Sequence, residues 1–529
     1  MDTETIDLDA FKHEQLRLHS LMDDNPAKAI EEARSLPSDT PVKGVLYTGL
    51  KAGVLIDAGS SAKDKQAIQE GVALFRRLLS ESPKDATLRY NLGNGLAALA
   101  EQYPSTTNTW YLDTKNIRRK ARGLLQNAIS AKDNAAVRST AFTNLGNALL
   151  RAHRWVEAYD AYSSALKHDR TNSVASTGAA KILLRCVRRG MGNKSILQSI
   201  AARHLKTAKL HPQRLAELAG MKAQKELQHL LQMKLPESNP PDLMGASNYE
   251  KFVARHRLAL SPTIDGLDCS LKRWDSLRFD SITEPVESHD GVPPSFAMMN
   301  VMKSDFLAAR YLAYQALTAK FPESGLYTDT LDYAVYGIAP SLLSLAQRAC
   351  FDVLDKIAAA TTEYFDIPGN VKVVYFRSRW FDNPQKGVPL AWHPLLRPHI
   401  ENGNMAIIAL ADISFDIAKN GSLVRKQAFR HSSTHRFTVL HDMGCRPSRN
   451  SEQIEHCEIR EFKNQLIESL QLARAAVVYF VEMISIAEKT RAAGTGKVGT
   501  ITVPTHHYIR GDDDQEISGK PRPRMPKSE

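Results

Sequence analysis

Between Val424 and Asp442 the chain reads VRKQAFRHSSTHRFTVLHD. Four residues in this run carry chemistry: Arg430, His431, His435 and Arg436. A guanidinium stays charged at any ordinary pH and grips two anionic oxygens at once. An imidazole with a reference pKa of about 6.5 serves as general base or general acid near neutrality. The flanking Arg430 and Arg436 disfavour a protonated His435, which keeps it a usable base at pH 7. His431 is placed to orient a substrate or to donate a proton. His431 and His435 are also spaced as two ligands on one helical face would be. However, Ser432 stands where the H-E-x-x-H motif has its general base, and no third ligand is close in sequence. His441, Cys445, His456 and Cys457 follow no familiar zinc spacing. The reading at this point is therefore no metal and no cofactor, with a His-ligated metal hydrolase as the lesser alternative.

To share one site, these side chains need an element that presents them together. A helix over Leu423–Met443, with Ser422 as N-cap and Gly444 as stop, does so. At about 100° per residue, Thr434 falls near 40° from Arg430, His431 near 100° and His435 near 140°. This polar arc uses mediocre helix formers, each roughly 0.5 kcal/mol worse than Ala. A sequence that accepts such a penalty often does so for a site. Other helices are expected at Ala297–Lys320, Pro340–Phe365, Asn404–Ala418 and Glu458–Arg491, which together make a bundle. Val371–Trp380 (VKVVYFRSRW) reads as extended, and its Arg377 and Arg379 are candidate phosphate contacts alongside Arg436.

Arg430 to His435 resembles the R-x-x-x-x-H signature of HEPN domains, with His431 at the position after Arg. LDKIAAATTEYF (Leu354–Phe365) followed by VVYFRSRWF (Val373–Phe381) resembles HEPN proteins fused behind TPR repeats. The resemblance covers roughly Ser295–Arg491. It implies an all-α bundle and, in many members, a metal-independent endoribonuclease working as a homodimer that brings two such helices face to face. Cleavage by attack of the 2′-OH on its own phosphate needs a base, an acid and a cation on the developing charge. Arg430, His431 and His435 are the residues on which that activity would rest. Non-catalytic HEPN modules, which act in pairing or RNA binding, are the second reading.

The first 235 residues repeat themselves. YNLGNGL (Tyr90–Leu96) and TNLGNAL (Thr143–Leu149) are near copies. Gly146, Ala158, Tyr162 and Ala165 then run as small, small, large, small across Ala141–Asn172, which resembles one TPR unit. Weaker copies carry Gly71, Phe75, Leu78 and Pro83; Ala121, Leu125 and Ala128; and Ala201, Leu205 and Ala208. The stretch PSTTNTWYLDTK reads as an insertion. The expected fold is all-α: a TPR-like α-solenoid followed by a HEPN-type helical bundle. Boundaries fall at 1–235 for the repeats, 236–294 for a connector holding PESNPP and EPVESHDGVPP, 295–491 for the bundle and 492–529 for a disordered tail. The concave face of such an array suits a protein or peptide partner.

The formal net charge of +11 is a mild push towards RNA as a partner. The five cysteines are sparse and form no C-x-x-C pair, which argues for a reducing compartment. The N-terminus MDTETIDLDAFKHEQ is acidic and unlike a signal peptide. Leu472–Ala487, interrupted by Arg474 and Glu482, reads as a buried helix and not as a membrane span. A cytoplasmic protein is expected, with no membrane contact. The phosphate-cradling G-x-x-x-x-G-K-[ST] loop is missing, which argues against nucleotide hydrolysis. By resemblance, a TPR-like sensor controlling a HEPN effector suggests stress or defence.

Overall fold

The computed structural model describes residues 8–37, 43–104, 109–130, 134–236, 243–267, 274–284, 291–370, 374–382, 389–418, 421, 423, 437–444, 447 and 451–494. The N-terminal half is a train of helices: α1 (Leu8–Asp24), α2 (Pro26–Ser35), α3 (Lys43–Ala62), α4 (Lys65–Glu81), α5 (Ala86–Glu101), the short α6 (Trp110–Asp113) and α7 (Lys115–Ile129). It continues through α8 (Ala135–Arg151), α9 (Trp155–His168), α10 (Ser173–Arg188), α11 (Lys194–Leu210) and α12 (Pro212–Leu231). Several of its helices start where an Asx side chain accepts the N–H three residues on. Asp64 caps α4, Asp85 α5, Asn134 α8, Asn172 α10 and Asn193 α11. Each cap satisfies a donor the helix cannot pair internally.

Consecutive helices fold back as antiparallel hairpins: α3 on α4, α5 on α7, α8 on α9 and α10 on α11. Tyr162 shows what sets their spacing. Its ring lies between Gly146 of α8 and Gly178 of α10, where an added Cβ would come within 2.7 Å of ring atoms on either side. Glycine is thus the packing surface for the aromatic. Gly71 of α4 similarly meets the Ala52 carbonyl, at 2.6 Å from a notional Cβ. The insertion after α5 is partly structural, since Trp110 is buried and donates its indole N–H to Ala100 O at 3.0 Å.

The C-terminal half holds α13 (Asn248–His256), α14 (Pro294–Thr318), strand β1 (Ala334–Val335), α15 (Ile338–Tyr364), α16 (Arg397–Glu401) and α17 (Met405–Ile417). Strands β2 (Phe437–His441) and β3 (Ile454–Glu458) and the long α18 (Ile459–Gly494) follow. β2 is central, antiparallel to β1 and parallel to β3, with Ala334 opposite His441 and His441 opposite Glu458. α14, α15 and α17 pack around α18. By length and composition, Ile459–Ala493 is apolar enough to cross a membrane, yet 78% of its most apolar window is buried inside the protein. Its apolar surface is used up by the core.

Two sequence expectations are corrected. The helix over Leu423–Met443 does not run to its expected end, because Phe437–His441 is a strand. Phe, Thr, Val and Leu in succession favour a pleated, half-buried surface, and β3 supplies the partner. Residues 371–373 lie outside the described set, but Phe376–Trp380 is a turn rather than an extended segment. The Asp355 carboxylate accepts the Phe376 N–H at 2.9 Å, and Trp380 is fully buried against the Phe376 ring. Burying two aromatics four apart requires the turn.

The array and the bundle share one hydrophobic core that runs from Leu112 to Ala487. Leu258, Leu260, Leu277 and Phe279, between the two proline-rich breaks, are part of it. His256 packs its ring at a tilt against Phe252 and Trp274 lies under the Arg310 guanidinium, so both act in packing. A buried ionic seam crosses the same surface. Arg118 and Arg122 of α7 and Arg154 at the start of α9 face Asp412 and Asp416 of α17. The distances are 2.6 Å for Arg118–Asp412, 2.8 Å for Arg122–Asp416 and 3.1 Å for Arg154–Asp412. Glu157 completes the group at 2.6 Å from Arg154, giving three positive and three negative side chains. Arg122 and Asp412 are each 1% exposed. Despite burial, the three guanidiniums hold the Asp412 carboxyl well below the usual carboxylate range. Nearby, Asp160 binds both Arg257 at 2.6 Å and Arg474 of α18 at 2.7 Å.

Candidate functional site

Arg430, His431, His435 and Arg436 lie outside the described residues, but the positions that bracket them are placed. Before them, the Leu423 N–H donates to Asp416 O at 2.9 Å, so the segment leaves from the C-terminal end of α17. After them, Phe437 opens β2 and donates its N–H to Gln453 O at 2.9 Å. The chain therefore leaves the seam at Leu423 and enters the sheet at Phe437. Asp416 bonds both Arg122 and the chain that enters the motif.

The two other candidate arginines differ. Arg377 is exposed on the Phe376–Trp380 turn. Arg379 on the same turn is half-buried, its Nε has no hydrogen-bond partner, and burial pulls its pKa below the usual arginine value.

The structure also assembles a group that the sequence had left scattered. Asp332, His441 and His456 bring ligand atoms within 4.8 Å of one another. His441 ends β2 and is fully buried. Its Nδ1 lies 2.9 Å from the Asp332 carbonyl, so Nδ1 carries the proton and Nε2 the lone pair. That Nε2 faces His456 Nδ1 at 2.8 Å. Side chains alternate along a strand. His456 thus shares the face of Glu458, opposite His441, while its neighbour Cys457 points away. The Thr330 hydroxyl and the Ala334 N–H both bond the Asp332 carboxylate, and Thr330 is the main cause of its lowered pKa. Burial, then the neighbouring His441, holds His456 below its ordinary value. No local motif could reveal this group, because Asp332 and His441 are 109 residues apart.

With this geometry in place, one comparison is decisive for the C-terminal half. Residues 286–487 match the family model described as LA2681-like HEPN. This part of the chain is a HEPN domain. The match runs from before α14 almost to the end of α18, and it includes both the Arg430–His435 segment and the strands that follow it. The HEPN domain therefore contains the small sheet as well as the helices. No curated protein matches the chain.

Proposed function

We propose that the protein is a metal-independent endoribonuclease, with Arg430, His431 and His435 of its HEPN domain as the cleaving group and the TPR-like array as its sensor or scaffold. The observation that carries this reading is the family match over residues 286–487, which spans the R-x-x-x-x-H motif. In this reaction His435 takes the proton of a ribose 2′-OH. That oxygen attacks the adjacent phosphorus, and Arg430 neutralises the charge developing on the phosphorane oxygens. His431, or a histidine from a second copy, donates a proton to the departing 5′-oxygen.

A homodimer belongs to the same proposal. The end of β2 far from the motif carries an apolar surface: Tyr327, Leu331, Tyr333 and Met443 are each more than half exposed, as is Phe437 at the motif's own end. The Asp442 N–H bonds Tyr333 O at 3.0 Å, which holds the β1 and β2 ends of this patch together. Exposed apolar clusters of this kind mark interaction surfaces.

The test is cleavage of labelled structured RNA by the full chain in excess EDTA, beside His435→Ala. Cutting by the wild type and loss in the variant is the expected result. Equal cutting by both removes this site. Cutting only with added metal removes the metal-free mechanism. A silent wild type that is still dimeric favours the second reading, a non-catalytic HEPN pairing or RNA-binding module.

A further inference from the structure

We propose that Asp332, His441 and His456 form a binding site for one divalent metal ion of the zinc class. The site ties β1, β2 and β3 together at the end of β2 away from the RNA-cleaving motif.

Four observations carry this. First, the three side chains come from three separated stretches of chain yet converge within 4.8 Å. Second, His441 donates its Nδ1–H to a backbone carbonyl, Asp332 O. Metal-ligating histidines are characteristically held this way, because the bond fixes the tautomer and aims the other nitrogen's lone pair. Third, His456 Nδ1 faces that lone pair, while its Nε2 is buried without a hydrogen-bond partner. The ring is thus turned towards the cluster and makes no bond on its other side. Fourth, the carboxylate is braced by Thr330 Oγ1 at 2.6 Å and Ala334 N at 3.3 Å.

The ligand set decides the metal. Two imidazoles and one carboxylate suit zinc, cobalt or nickel, whereas magnesium and calcium take oxygen ligands. Three protein ligands leave the fourth tetrahedral position to water. Zn–N bonds of about 2.0–2.1 Å at a tetrahedral angle put two nitrogens about 3.3 Å apart. The facing nitrogens now stand at 2.8 Å, so the rings need to part by roughly half an ångström. Phe437, the first residue placed after the motif, and His441 are separated by about 13 Å of extended strand. The ion therefore anchors the strand that follows the motif and does not touch RNA at it. In the metal's absence, a hydrogen bond between the two rings holds the same pair together.

The experiment uses the full chain, treated with chelator and dialysed. Co2+ is titrated in and followed by visible absorption, then displaced with Zn2+. One equivalent per chain with a strong tetrahedral band is expected. His456→Ala and Asp332→Asn should each weaken binding by more than about tenfold. His399→Ala, at a half-buried histidine packed against the Phe365 ring, should leave binding unchanged. Zn2+ should raise the thermal midpoint of the wild type and not that of the two ligand variants. His441 is fully buried, so its replacement risks the fold and is not needed. The proposal is overturned if the wild type takes up no stoichiometric metal, or if both ligand variants bind like the wild type. Neither readout depends on RNA cleavage.

Discussion

In α1 to α5 the buried side chains close mainly on one another, in two small clusters of their own. From α6 onward they close on the C-terminal bundle, in a core continuous from Leu112 to Ala487. The ion pairs show the same division. Arg34 and Glu70, linking α2 and α4, lie 2.9 Å apart and are 41% and 34% exposed. Arg122 and Asp416, linking α7 and α17, lie 2.8 Å apart and are 1% and 2% exposed. The geometry is nearly equal and the surroundings are opposite. A displacement of the front of the array has local packing to work against. The back of the array cannot shift without disturbing the helix from which the motif segment departs.

Removing a charge at the seam should have the largest effect. Asp416→Ala leaves three buried guanidiniums sharing Asp412 and Glu157, one positive charge in excess, and breaking such groups costs about 3–5 kcal/mol. Urea unfolding of the variant should show this loss; a cost below about 1 kcal/mol would mean that water reaches the seam. Gly178→Leu drives a side chain into the Tyr162 ring, and overpacking of this kind costs about 1–3 kcal/mol. A midpoint unchanged in thermal unfolding would show that α10 can move off α9.

Acid should act on the back half before the front. Burial, then the charges of Arg185, Arg189 and Arg118, pushes the pKa of His153 down to about 4. Its folded pKa lies below the unfolded value of about 6.5, so the unfolded chain binds the proton more readily. The stability His153 contributes is complete above pH 6.5 and is lost as pH falls towards 4. His153→Gln should flatten the thermal midpoint between those pH values, by less than the two substitutions above because the ring is half-buried. An unaltered pH profile would locate the acid sensitivity elsewhere. The smallest effect belongs to the front: Glu70→Ala should cost about 0.2–1 kcal/mol. A larger cost would erase the contrast between the two halves.

The sequence showed most clearly what depends on near neighbours. The spacing of Gly146, Ala158, Tyr162 and Ala165 is a local pattern, and the structure seats Tyr162 between two glycines as that pattern implies. The helices α14, α15, α17 and α18 fall within a few residues of their expected ends, because their apolar stripes are long. β1 and β3 were not anticipated: two and five residues give too little alternation to read. β2 falls inside the helix that the polar arc of the motif predicts, although Phe437–Leu440 has strand chemistry. Nothing near Arg118 and Arg122 in the chain marks them as buried, because their partners stand 294 residues downstream. Asp332 had no neighbour to mark it. Of the candidate site, residue types and spacing were legible, while the sheet beside it and the seam behind it depend on contacts that only the folded chain makes.

The 294-residue span between Arg118 and Asp412 also sets an order of events. At a synthesis rate of about 5–20 residues per second, the three arginines leave the ribosome roughly 15–60 s before their carboxylates. Through that interval the back of the array has neither Asp412 and Asp416 nor α18 to cover it. The newborn chain therefore holds an apolar, positively charged face open to polyanions and to other apolar surfaces, and it closes that face only when the HEPN half has been made.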